Sequence, residues 1–109
     1  MVRPHCRRMI QGRPQSTIFK PTGIPMRDLE EVNLTLDEFE AVRLADLGAL
    51  YQEQAATQMG VSRPTFSRIV ESAHRKIADA LVHGKAIRIE GGTVQTGGFR
   101  CCRLHDKSD

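Results

Sequence analysis

Ser62, Arg63, Pro64, Thr65, Ser67, Arg68 and Arg75 lie close together in the chain, with Gln52 a short way upstream. This is the chemistry of recognition rather than of bond breaking. A guanidinium donates two parallel hydrogen bonds to a guanine edge or to a phosphate, while hydroxyl and amide groups suit backbone contacts. No nucleophile elbow, phosphate-binding glycine loop, dinucleotide fingerprint or helical H-E-x-x-H accompanies them, so neither enzymatic activity nor a cofactor is expected. His74 and His83 stand alone and need no catalytic role. A second basic set, Arg3, Arg7, Arg8 and Arg13, sits in a Pro- and Gly-containing segment. Such a segment either follows a minor groove or serves as a solubilising end.

For these groups to act together they need a helix with one face free. Ser62 is a good N-cap and Pro64 falls in the first turn, where proline is tolerated. The spacing predicts a helix from there to about Val82, ended by Gly84. Phe66, Ile69, Val70, Ala73, Ile77, Ala80 and Leu81 share one arc of it, while Pro64, Ser67, Arg68, Glu71 and Arg75 share the opposite face. A shorter helix is predicted from Tyr51 to Met59. Ala56 is small enough for two helices to cross there, Gly60 accepts the positive φ of a tight turn, and Val61 plugs the corner. An earlier helix starts at Thr35, which forms a capping box with Glu38. Leu36, Phe39, Val42 and Leu47 set its period, and Gly48 is its expected stop.

The remaining segments are less regular. Pro4, Pro14, Pro21 and Pro25 exclude a long helix early on, but Thr17-Ile18-Phe19-Lys20 is β-prone. Ala86-Ile87-Arg88-Ile89 alternates like a strand. The expected organisation is a basic extended arm over 1–34, a helix-turn-helix domain over 35–83, a short strand in 84–92 and a flexible tail over 93–109. The fold class is mainly α, with one or two short strands.

With 109 residues and a net charge of +3, the chain has room for one core, and its charge is uneven. Residues 1–27 are basic without a single acid, whereas 28–58 carry Asp28, Glu30, Glu31, Asp37, Glu38, Glu40, Asp46 and Glu53 against Arg43 alone. Basic character returns with Arg63, Arg68, Arg75, Lys76, Lys85 and Arg88. A nucleic-acid binder needs cations gathered on one surface rather than a high total. Cys6, Cys101 and Cys102 are an odd set at the two ends, and no secretory leader or membrane-length apolar run is evident, so a reducing, cytoplasmic setting is expected. His5, Cys6, Cys101, Cys102 and His105 could meet as metal ligands, but adjacent cysteines point apart and zinc sites favour spaced pairs, so no metal is assigned.

The run from Gln52-Glu53-Gln54-Ala55-Ala56 through Gly60-Val61-Ser62 into the basic helix resembles region 4 of sigma-70-type factors. The whole chain is more similar still to uncharacterised protein family 0251 (domain of unknown function 134), small bacterial and archaeal proteins predicted to bind DNA. The matching blocks are Cys6-Arg7-Arg8, Phe19-Lys20-Pro21-Thr22-Gly23-Ile24-Pro25, Leu34 to Asp46 and Gly84 to Gly92, so the resemblance spans about residues 3–92. It implies a sigma-70 region 4-like helix-turn-helix. Some relatives carry a zinc-ribbon-like cysteine pair in the tail, a feature degraded or absent here because Cys101 and Cys102 adjoin.

A helix-turn-helix puts its second helix in the major groove. On that reading Arg68 forks onto a guanine, Arg63 reaches a phosphate, and Ser62, Pro64 and Ser67 lie at the groove. Thr65 touches backbone or packs, Gln52 suits a phosphate, and Arg75 and Lys76 reach backbone or only solvent. Glu71 reads a cytosine, pairs with Arg75 or repels phosphate. The expected partners are double-stranded DNA and a second copy of the chain, since specificity usually comes from two half-sites. The strands at 17–19 and 86–89 either pair within one chain or pair across a two-fold axis, burying Ile87 and Ile89 between protomers. The competing readings are a protein adaptor of the transcription machinery, docking a basic partner on the acidic face around Asp37, Glu38 and Glu40, and a small metal-binding protein using the terminal Cys and His residues.

Overall fold

A computed structural model describes residues 8–92 and 94–96. Strands β1 (Arg8–Ile10), β2 (Ile18–Phe19) and β3 (Glu31–Leu34) precede three helices, α1 (Leu36–Val42), α2 (Gln52–Met59) and α3 (Arg63–His83). Strands β4 (Ala86–Ile89) and β5 (Val94–Thr96) follow. The protein is mostly helical with a small three-stranded sheet of order β2-β4-β3, and β1 pairs separately with β5.

The local signals act where the residues stand. Thr35 Oγ1 accepts the Glu38 amide at 3.4 Å, and Glu38 Oε1 accepts the Thr35 amide at 2.9 Å. Ser62 Oγ accepts the Thr65 amide at 3.3 Å, and Gly84 closes α3 in the left-handed region at φ 67°. Gly60 turns the chain between α2 and α3 at φ 69°, a conformation that is costly for a residue with a Cβ. Ala55, Ala56, Met59, Phe66, Ile69 and Val70 are buried with Ala41 and Leu44, which places the main core between the three helices. Val61 packs against this cluster. A second cluster, Leu34, Ala73 and Ile89, joins α3 to the sheet.

Two apolar positions depart from the expected periods. After Val42 the helix widens into a π-type turn over Arg43–Leu47, with the Gly48 amide bonding to the Arg43 carbonyl at 2.8 Å. The extra residue in that turn advances the helical phase, and Leu47 is left 83% exposed. Gly48 stays right-handed, and Ala49 takes the positive φ. Leu81, expected on the apolar arc of α3, is 76% exposed.

The segment expected as an arm is largely domain. β2 runs antiparallel to β4, with Ile18 opposite Arg88, and β3 runs parallel to β4, with Leu34 opposite Ile89. The strands therefore pair within one chain, and Ile89 is buried in its own core rather than between protomers. Ile10 is 2% exposed. Residues 94–96 of the expected tail form β5, parallel to β1. Arg3, Arg7 and the terminal cysteines and histidines lie outside the described residues.

Candidate nucleic-acid interface

The start of α3 carries the site. Phe66 and Ile69 hold it to the core, and Arg63, Pro64 and Arg68 stand exposed on the other side. Thr65 and Ser67 are half-buried between these faces. Thr65 Oγ1 accepts hydrogen bonds from Ser62 Oγ at 3.0 Å and from Arg68 Nη2 at 3.3 Å, so cap and guanidinium are linked through one hydroxyl. Gln52 is exposed as the first residue of α2, and the Tyr51 amide donates to Gln54 Oε1 at 3.2 Å. The positive end of the α3 helix dipole adds to the potential where Arg63 stands.

The other expected contacts divide. Arg75 is exposed but lies about 18 Å along the helix from Arg63, from a rise of about 1.5 Å per residue. Glu71 is exposed, and no ion pair joins it to Arg75 among the described residues. Arg13 is exposed, whereas Arg8 faces inward to Asp37 at 3.8 Å. Lys76 is half-buried and committed to partners within the chain. Its Nζ donates to Glu38 Oε1 at 2.7 Å and to the Asn33 carbonyl at 2.8 Å.

The acidic face is the clearest correction. Asp37, Glu38 and Glu40 are 8%, 7% and 1% exposed. Glu40 accepts the Gln11 and Gly12 amides at 3.1 and 3.2 Å and both prongs of Arg43 at 2.8 and 2.7 Å. Glu38 also accepts Ser72 Oγ at 2.6 Å. Burial by itself would raise both carboxyls. In Glu38 the bonds from Lys76, Ser72 and Thr35 outweigh burial, and in Glu40 those from Arg43, Gln11 and Gly12 do, so both lie below the ordinary glutamate range. A Cβ at Gly12 would sit 2.4 Å from Arg43 Nε, so a side chain there would displace the guanidinium that pairs with Glu40. These carboxylates offer no docking surface.

Sequence reasoning also missed the histidine contacts. His74 Nε2 lies 2.6 Å from Asp46 Oδ2, and His83 Nδ1 lies 2.8 Å from Asp79 Oδ1. Among the described residues no group of three or more His, Cys, Asp or Glu is placed to hold a metal. No helix among them is long and apolar enough to cross a membrane.

Fold and site together define a small, mostly helical protein that presents a cationic helix end. The chain belongs to the family described as "Protein of unknown function DUF134", which matches residues 1–97. A UPF0251 protein of Caldanaerobacter subterraneus subsp. tengcongensis is 57% identical over 98 residues, covering 90% of this chain and 83% of that protein. One from Dehalococcoides mccartyi is 50% identical over 108 residues, covering 99% of this chain and 92% of that protein. Another, from Prosthecochloris aestuarii, is 56% identical over 92 residues, covering 84% of this chain but 59% of that longer protein. No solved structure matches the chain with comparable significance.

Proposed function

We propose that this chain binds double-stranded DNA in a sequence-specific way, with α2, the turn at Gly60 and α3 acting as a helix-turn-helix like region 4 of sigma-70-type factors. On this reading it is a transcriptional regulator and a binding protein rather than an enzyme, and two copies occupy paired half-sites. The observation that carries the reading is the split of α3 at its N-terminus. Phe66 and Ile69 are buried, while Arg63 and Arg68 stand exposed beyond them at a positive helix end. The adaptor alternative rested on an acidic surface, and those carboxylates are turned inward.

Selection of bound sequences from a random DNA pool, followed by mobility shift at graded salt, tests this. Binding falls steeply with salt as phosphate contacts release counterions. Arg68→Ala weakens the selected site by about 1–3 kcal/mol and relaxes one base position. Failure to enrich any sequence, with no salt-dependent shift, sinks the proposal. Weakening that is uniform across sequences would make Arg68 a phosphate contact instead.

A further inference from the structure

The C-terminal half of α3 has an outer face that no other element covers among the described residues. Arg75, Lys76, Ala78, Asp79, Val82 and His83 line a shallow depression of about 560 Å³ there. Val82, one of these residues, is 75% exposed. An apolar β-branched side chain left open on a helix, with charges only at the rim, is the pattern of a contact surface.

The rim charges say what fits. Lys76 is committed to Glu38 and Asn33 inside the molecule, and Lys85 bonds to Asp79 at 3.0 Å. Arg75 has no carboxylate partner among the described residues. Asp79 stands one turn further along the same face, and its carboxylate retains acceptor positions beyond His83 and Lys85. A cation and an anion one turn apart on one helix face become complementary when the same helix is laid against it in the opposite direction.

We infer that this half of α3 is a self-association surface whose occupant is the same half-helix of a second copy, packed antiparallel about a two-fold axis beside Ala78. Ala78 is small enough to let the two backbones approach. Val82 of each copy lies on the apolar stem of the partner's Arg75, and that guanidinium reaches the partner's Asp79. The two-fold makes each contact twice, so one ion pair and one apolar contact per chain close the interface. Only the purpose of the pairing, to present two α3 N-termini, rests on the DNA reading.

Sedimentation velocity of the full chain without DNA, at tens of micromolar, reads the pairing. The expected mass is twice the 12.2 kDa of one chain. Val82→Glu and Arg75→Glu each weaken association by roughly tenfold or more. The double variant Arg75→Glu with Asp79→Arg restores it. Val82 is exposed, so Val82→Glu keeps the wild-type circular dichroism melt. A monomeric wild type overturns the inference. A dimer that survives Val82→Glu but is lost in Leu81→Glu overturns it too, by moving the contact to the neighbouring face. Arg68→Ala remains dimeric, so failure of DNA binding and failure of pairing are read separately.

Discussion

The carboxylates of α1 and the arginines at the start of α3 are both dense charge runs in the sequence, and the fold treats them in opposite ways. Glu38 and Glu40 are buried, and among the described residues they bond to Thr35, Ser72 and Lys76 and to Gln11, Gly12 and Arg43. Arg63 and Arg68 are exposed, and among the described residues Arg68 bonds a threonine hydroxyl. One run holds the molecule together, and the other faces outward. The lesson is that a run of charge reports composition, while its role depends on whether distant backbone comes to meet it.

The sharpest way to break this contrast is to remove a carboxylate. Glu40→Ala strands Arg43 and two backbone amides, and it lowers unfolding free energy by about 3 kcal/mol. Urea unfolding followed by circular dichroism measures this, and a loss no larger than that of a surface variant would contradict the internal role. A smaller loss, about 2 kcal/mol, follows Ala56→Leu, because Ala56 is 3% exposed where α2 meets α3 and a larger side chain forces them apart. An unchanged melting temperature would refute that crossing.

Acid titration sharpens the same contrast. Glu38 and Glu40 have carboxyl groups held below their ordinary value of 4.5 in the fold. The stability they contribute is fully present above that value and is lost as pH falls from it through the depressed folded values. Unfolding free energy measured from neutral pH downward therefore declines below about pH 4.5, and the decline is shallower in Glu38→Gln. The smallest effect belongs to the other region. Arg68→Ala changes unfolding free energy by less than about 0.5 kcal/mol while, on the proposed function, weakening DNA binding. A large loss of stability there would mean that the arginine serves the fold.

What could be read in advance was local. Thr35 with Glu38, Gly60, Ser62 and Gly84 each act within a few residues of themselves, so helix starts and ends were legible. The exposed face at the start of α3 was legible for the same reason, through the spacing of Phe66 and Ile69 against Arg63 and Arg68. The role of Glu40 was not, because its amide partners at Gln11 and Gly12 lie 29 and 28 residues away. Lys76 looked like a surface cation for a similar reason, since Glu38 is 38 residues upstream. Leu47 was misplaced by a single widened turn that no residue preference announced. The early segment looked like a loose arm because its strands have two to four residues and find their partners only near the other end of the chain.

That last arrangement bears on how the molecule is made. β4 lies at the centre of the sheet and is bonded on one side by Ile18–Phe19 and on the other by Glu31–Leu34. Synthesis proceeds at about 5–20 residues per second, so both early strands wait several seconds for residues 86–89 to be added. During that interval the three helices can collapse on one another, but Leu34 has no Ile89 to pack against. Closing the sheet brings together segments more than fifty residues apart and costs loop entropy before any contact rewards it. The order of synthesis therefore leaves β4 to enter between two strands made long before it, and β5 to pair with β1 later still.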